Sequence, residues 1–339
     1  MKHNKDTHVP LWFHPTAVVC VDDDANCLRD TAKAIKGQCS YVMLYKDPKK
    51  ALQFLNNAYQ PDPCVHHLVG RPDENELQQD VIPQLHHALY ASARFEQVAV
   101  AVVDHHMPDM NGLEFCEKLR HKGIYTVLLT NVLNEKHAVQ AFHDGSIHGY
   151  VHKGDPQAYK QLQGLIGQAQ QEYFWQLSQF LRRDNSSYYE EYQLLNEPAF
   201  CHLFAQVQRQ LGVQEHYLFE APGSFLLLDK QGNDHALFTA DHEQAAVYLQ
   251  SAESEGIPQH IEQGLAQREL MLCYHNARNP TLPAGNTCAP YVHPAKQLPC
   301  QQKTYTYHLG QKMVDLQRER MVLLQDFQAR RGKIIKCFE

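Results

Sequence analysis

Val98-Ala99-Val100-Ala101-Val102-Val103-Asp104-His105-His106-Met107-Pro108 opens with six apolar residues that stop at a carboxylate. A continuous Val/Ala run reads as a strand covered on both faces, because a half-exposed strand alternates apolar with polar positions. Eighty residues earlier the pattern occurs as Val18-Val19-Cys20-Val21, followed by Asp22-Asp23-Asp24. Two further runs follow: Thr126-Val127-Leu128-Leu129-Thr130 ends in a hydroxyl, and Ile147-His148-Gly149-Tyr150-Val151-His152-Lys153 ends in a cation. In an open α/β sheet, ligands bind beyond the carboxyl ends of the strands. All of these terminal groups are therefore expected at one edge of one sheet.

Carboxylates crowded in this way repel unless a divalent cation holds them, and an oxygen-only cluster suits Mg²⁺. An acidic pair, a further carboxylate, a hydroxyl and a lysine at successive strand ends form a site for phosphoryl transfer onto aspartate. Asp104 is the expected nucleophile. Mg²⁺ and Lys153 would neutralise the charge of the transferred group, and Thr130 would hydrogen-bond its oxygens.

The stretch from Thr16 to Asp155 resembles the receiver domain of two-component response regulators. Asp22-Asp23 match the acidic pair and Asp104 the phosphoacceptor. Met107-Pro108-Asp109-Met110-Asn111-Gly112 matches the loop after it, and Thr130 and Lys153 the hydroxyl and lysine. The resemblance implies metal binding by Asp22, Asp23, Asp104 and the backbone carbonyl of His106, and a switch made of Thr130 and Tyr150. It further implies phosphorylation by a sensor histidine kinase or phosphotransfer protein, and a homodimer formed on phosphorylation. The chain departs from the pattern at Gly154, where receivers usually have proline, and at Asn131, where a small residue is usual.

The expected fold is a flavodoxin-like, doubly wound, five-stranded parallel receiver followed by a small α+β output domain. The strands are read at Ala17–Val21, Tyr41–Tyr45, Val98–Val103, Val127–Thr130 and Gly149–His152. Asp47-Pro48 opens the second helix, with proline where its missing N–H costs nothing. Asn134 caps the fourth helix and Gly145 ends it. Between Tyr45 and Val98 lie 52 residues, where a crossover needs only about a dozen. An insertion is therefore placed at 57–96, with a polar, proline-containing loop and a helix over Asp80–Phe95 that carries Ile82, Leu85 and Leu89. It serves either as an edge element or as a partner surface.

The boundaries that follow are a receiver over 1–155, a linking helix over 156–184 and an output domain over 185–339. In the output domain a helix starts at Pro198 and runs to Gly212. A hairpin joins Ser224–Asp229 to His235–Phe238 through a Gly/Asn turn. Asp241 caps a helix, Ile257–Glu269 forms another, and Leu270–His275 returns as a strand. A proline-rich loop then leads to a long final helix over Thr306–Arg331. Arg94-Phe95, Gln171-Glu172-Tyr173-Phe174 and Gly223-Ser224-Phe225-Leu226-Leu227-Leu228-Asp229 resemble a minor class of response regulators that includes those of α-hydroxyketone quorum sensing.

Composition limits the output. The whole chain carries a formal charge of −7, and residues 157–339 hold 7 Lys and 9 Arg against 6 Asp and 13 Glu. Nucleic-acid binders usually show a basic footprint, and here only Arg318, Arg320, Arg330, Arg331, Lys333 and Lys336 concentrate. DNA binding stays possible but is not favoured over a dimerising or protein-binding output. An unrecognised enzymatic output controlled by the receiver is the other alternative, although no common nucleotide-handling signature marks one. No apolar run approaches the ~18 residues of a membrane span, and the polar Met1-Lys2-His3-Asn4-Lys5-Asp6 does not open a signal peptide. Ten cysteines are scattered without a framework, so reduced thiols in a cytoplasmic protein are expected. Cys273, His275, Cys288, His293 and Cys300 are zinc-type ligands, but their spacing matches no compact motif.

Overall fold

The structure is a computed structural model that describes residues 8–58, 85, 87–131, 135–178, 192–254, 256–274, 290–311 and 316–336. The chain divides into two compact units. Among the described residues, one takes 14–58, 90–177 and 322–336, and the other takes 8–13, 85–89 and 178–321. The boundaries at 155 and 184 are thus replaced by an arrangement in which both termini cross over. The opening residues join the second unit, and the closing residues return to the first.

A short strand, β1 (Trp12–Phe13), belongs to the second unit. The first unit is built on β2 (Ala17–Val21), β3 (Val42–Tyr45), β4 (Val98–Val103), β5 (Tyr125–Thr130) and β6 (Gly149–His152). Every residue of β2 through β5 is buried, as their unbroken apolar composition predicts for a sheet covered on both faces. The sheet has six strands rather than five. The sixth, β14 (Ile334–Lys336), comes from the end of the chain and pairs parallel with β3, giving the order β14-β3-β2-β4-β5-β6.

Local chemistry sets the helix ends in this unit. Asp24 accepts from the Asn26 N–H at 2.7 Å and opens the Ala25–Ile35 helix. Asp47 accepts from the Lys49 N–H at 2.7 Å and opens Pro48–Gln53. Asn111 accepts from Glu114 N–H at 2.9 Å and opens Gly112–Leu119. The fourth helix, Glu135–His143, ends at Gly145, whose φ of 72° is the left-handed conformation that favours glycine. Asn134, its expected cap, lies outside the described residues.

The expected linking helix is this unit's own closing helix, Ala158–Ser178. Leu162, Ile166, Ala169, Tyr173 and Phe174 form its buried face. Gln170 is buried with them, and its amide is satisfied at both ends, accepting from Thr16 N–H (3.0 Å) and donating to Gln38 O (2.7 Å). The part expected over 179–184 lies outside the described residues. The helix expected over Asp80–Phe95 does not reach its predicted end. Ser92–Glu96 is a 3-10 turn, held by the buried Arg94 guanidinium, which donates back to Ala91 O and across to Val322 O. Leu85 and Leu89 are buried, while Ile82 and most of the insertion lie outside the described residues.

The long final helix is also corrected. Thr304–Gln311 is a strand, β13, and the described chain then makes a 3-10 turn at Arg318–Arg320 and a helix over Leu324–Arg331. Alternating Thr304-Tyr305-Thr306-Tyr307 has strand propensity, and β13 is paired on both sides. Leu324 and Phe327 pack into the parallel unit's core, with Phe327 against Phe95 and Tyr41 at ring distances of 5.3 and 5.8 Å.

The second unit is a six-stranded antiparallel sheet ordered β1-β7-β8-β9-β13-β12. Its other strands are β7 (Val213–Glu220), β8 (Ser224–Asp229), β9 (Asp234–Ala240) and β12 (Lys296–Pro299). The β8–β9 hairpin and the preceding helix, Pro198–Leu211 ended by Gly212 at φ 63°, follow the sequence reading. β7 lies in the stretch between the helix and the hairpin, and β12 lies within the proline-rich loop. Phe200 and Phe204 of the helix pack on Phe225 of β8, and Phe204 meets His216 edge-on. His216 is buried, with its pKa pushed down to about 3 by that burial, and bonds Pro10 O through Nε2. A two-stranded sheet, β10 (Leu270–Leu272) with β11 (Val292–Pro294), packs on the Gln259–Ala266 helix through Ile261, Leu265 and Leu272. The Asp241 cap is in place, accepting from Gln244 N–H at 3.0 Å ahead of the His242–Ser254 helix.

Candidate functional site

Parallel pairing places the carboxyl ends of β2, β4, β5 and β6 side by side, in that order, at one edge. Asp22 and Asp23 follow β2, Asp104 follows β4, Thr130 ends β5 and Lys153 follows β6. The backbone fixes each position. Asp22 N–H donates to Tyr45 O (3.1 Å), Asp104 N–H to Val21 O (2.8 Å) and Lys153 N–H to Thr130 O (2.9 Å).

Three carboxylates and one lysine converge at this edge. One oxygen from each of Asp22, Asp23 and Asp104 lies within 4.8 Å of the others, and this is the only such cluster of metal-ligand types among the described residues. Asp22 and Asp104 are buried and Asp23 is exposed, so the group is open on one side. Three hard oxygen donors match the preference of Mg²⁺. Lys153 Nζ lies 2.7 Å from Asp22 Oδ2 and 2.8 Å from Asp104 Oδ1. Burial raises the Asp22 pKa, an effect that the Lys153 hydrogen bond and charge only partly offset. For Lys153, burial opposes the charge, but hydrogen bonds to Asp104 and Asp22 outweigh it and raise its pKa. The ammonium is therefore held charged between two carboxylates.

Contacts around Asp104 add detail that the motif alone did not supply. Asp104 Oδ2 accepts from the His106 N–H at 2.9 Å, which holds the following loop against the carboxylate. Asp109 in that loop has φ 69° and pairs with Lys49 at 3.0 Å. A Cβ on Gly112 would fall on the Asp104 carbonyl oxygen and 2.9 Å from His105 Cα, so only glycine permits the loop to return this closely. Thr130 is buried, and Tyr150 is 37% exposed. Asp24, the third acid after β2, serves as the helix cap and stands apart from the cluster.

Other residues singled out from sequence have structural employment. Arg318 makes a bidentate contact with the buried Asp234 (2.9 and 2.7 Å), and Arg331 pairs with Glu96 at 2.8 Å. His293 stacks on His308 and bonds Pro290 O, while Cys273 is buried. His275 and Cys288 lie outside the described residues. Burial pushes the Cys39 and Cys116 thiols up to about 12, which keeps them protonated. No helix among the described residues is long and apolar enough to cross a membrane.

The parallel unit has the flavodoxin-like fold of a response-regulator receiver, and a separate antiparallel sheet makes up the other unit. No known family profile matches the chain, and no curated protein matches it. Among solved structures, the chain is similar to the response regulator LqsR of Legionella pneumophila, at 25% identity and a TM-score of 0.77 over 96% of this chain and 97% of that one. A CheY-like receiver domain protein from Methanospirillum hungatei JF-1 aligns at 16% identity and a TM-score of 0.33, over 48% of this chain and 98% of that one. The Francisella response regulator 1452 receiver domain aligns at 15% identity and 0.31, over 46% and 98%.

Proposed function

We propose that the protein is a phosphorelay response regulator whose Asp104 accepts a phosphoryl group from a sensor histidine kinase or phosphotransfer protein. The observation that carries this reading is the single ammonium of Lys153 shared between Asp22 and Asp104, beside an open carboxylate. Asp22, Asp23, Asp104 and the His106 carbonyl would hold Mg²⁺, which supplies charge neutralisation for a phosphoryl group in transfer. An Asp104 oxygen attacks phosphorus, and the bond from phosphorus to the donor's leaving atom breaks. Lys153 leaves its contact with the carboxylates to pair with the new phosphoryl oxygens, and the Thr130 hydroxyl donates to one of them.

The readout we propose is pairing with a second copy. Val139 and Phe142, three residues apart on the Glu135–His143 helix, are 69% and 57% exposed, and Tyr150 on β6 is partly exposed. Capture of the phosphoryl group by Thr130 would draw on the segment that leads to that helix, a local charge event with a global readout. The resemblance to regulators of α-hydroxyketone systems supports a role for this switch in quorum sensing, and the reading is of a cytoplasmic protein. A DNA-binding output is less well supported, since Arg318 and Arg331 of the basic set are committed to carboxylates. Light scattering with beryllofluoride and Mg²⁺ should show a shift from monomer to dimer that Asp104→Asn lacks. An unaltered mass at tens of micromolar would reject the dimer.

A further inference from the structure

The turn that carries Lys153 is closed by a side chain. Lys153 N–H is held by Thr130 O, and Asp155 N–H donates to His152 O at 3.0 Å. The N–H between them, that of Gly154, donates to Nδ1 of the His152 imidazole at 3.1 Å. This is the bond that Asn and Asp side chains make two residues on in turns, here made by a histidine. Gly154 is part of the arrangement. A Cβ there would lie 2.8 Å from His152 Cε1 and 3.1 Å from Nδ1, and a proline at this position would have no N–H to donate.

We propose that His152 is a positioning residue for Lys153 and makes phosphorylation of Asp104 sensitive to acid, an inference that rests on the phosphoacceptor reading. A neutral imidazole accepts at Nδ1 only with its proton on Nε2, and a protonated ring donates at both nitrogens and accepts at neither. Protonation therefore opposes the Gly154 bond. The charged groups on the turn are Lys153, committed to Asp22 and Asp104, and Asp155, which accepts from Gln157 N–H and the Gln161 amide. From β5, the residue paired with His152 is Thr130, which carries no charge. Asp155, whose pKa is lowered first by its bond to the Gln157 N–H and last by the charge of His152, puts a carboxylate on the same turn as the ring. The result is a lysine whose main chain loses one of its flanking restraints in acid.

The test measures initial rates of labelling of the full chain by acetyl phosphate and Mg²⁺, from intact mass, at about pH 8 and about pH 5.5. Wild type is compared with His152→Asn, His152→Ala and Gly154→Ala. Asparagine can accept the same N–H and does not titrate, so His152→Asn should match wild type at the higher pH. At the lower pH the ratio of wild type to His152→Asn should fall about two- to ten-fold. His152→Ala and Gly154→Ala should be slow at both pH values by a similar factor, with melting temperatures close to wild type. A constant ratio would overturn the acid sensitivity, and labelling of His152→Ala at the wild-type rate would overturn the positioning role. Absence of labelling in wild type, or its persistence in Asp104→Asn, would overturn the phosphoacceptor reading and this proposal with it.

Discussion

Carboxylates play opposite parts in the two units. In the antiparallel unit, Asp229 closes the β8–β9 turn by accepting from the Gln231 and Asn233 N–H groups, and Asp241 caps a helix while pairing with Lys303. Asp234 is locked by Arg318, and Glu220 accepts from the Tyr248 hydroxyl at 3.0 Å. In the parallel unit, Asp22, Asp23 and Asp104 crowd one another, and Asp22 and Asp104 share one ammonium. Antiparallel strands turn back within a few residues, so a polar group at a strand end is used locally. Parallel strands all finish at the same edge, so while Asp24 and Asp47 there cap the next helix, the other terminal groups accumulate where such sheets bind ligands.

The contrast can be broken hardest at the C-terminal return. Removing residues after Met321 should leave the parallel unit without β14, Leu324 and Phe327, and the product should fail to fold cooperatively by thermal melting. Phe327→Ala isolates one part of this and should cost about 3 kcal/mol, because it empties a site packed by Phe95 and Tyr41. A truncated chain that melts like the full one would show that the sixth strand is an accessory.

Glu220 sharpens the other side of the comparison. Burial raises its pKa to about 7, with the Tyr248 bond opposing the shift. An unfolded glutamate titrates near ~4.3, so the folded state binds more protons across the interval. The stabilisation is complete below that lower value and is lost as pH rises toward about 7. Melting should therefore show the antiparallel unit losing roughly 2 kcal/mol between about pH 5 and pH 8, and Glu220→Gln should flatten that slope. Smaller still, Arg318→Ala should cost about 1 kcal/mol by leaving Asp234 unpaired, reduced from the buried-pair value because the arginine is half exposed. Val247→Ser, at an exposed position, should stay within about 0.5 kcal/mol of wild type in denaturant unfolding.

Legibility followed how local each signal was. Unbroken runs such as Val98–Val103 announced buried strands, and their abrupt ends at Asp104, Thr130 and Lys153 located the candidate site. Caps at Asp47, Asn111 and Asp241 sit beside the N–H groups they satisfy, and two of them were read directly. Ile334-Ile335-Lys336 was not legible, since three residues gain strand identity only from β3, 292 positions earlier. Trp12-Phe13 hid for the same reason, pairing with Tyr217 and His216. Thr306–Arg331 misled because Leu309, Met313 and Leu316 happen to fall at helical spacing, while Thr304–Gln311 obeys its neighbours β9 and β12. Within the site, the His152–Gly154 bond lay behind a visible signal, the glycine that replaces the usual proline.

The central claim is that the strand-end cluster directs a phosphoryl group to one carboxylate. Its most direct test is to label the full chain with acetyl phosphate and Mg²⁺, reduce the acyl phosphate with borohydride and map the modified residue by peptide mass. Conversion of Asp104 alone, dependent on Mg²⁺ and lost when Asp23 is changed to Asn, is the expected result. Modification spread over several carboxylates, or concentrated at a residue other than Asp104, would contradict it.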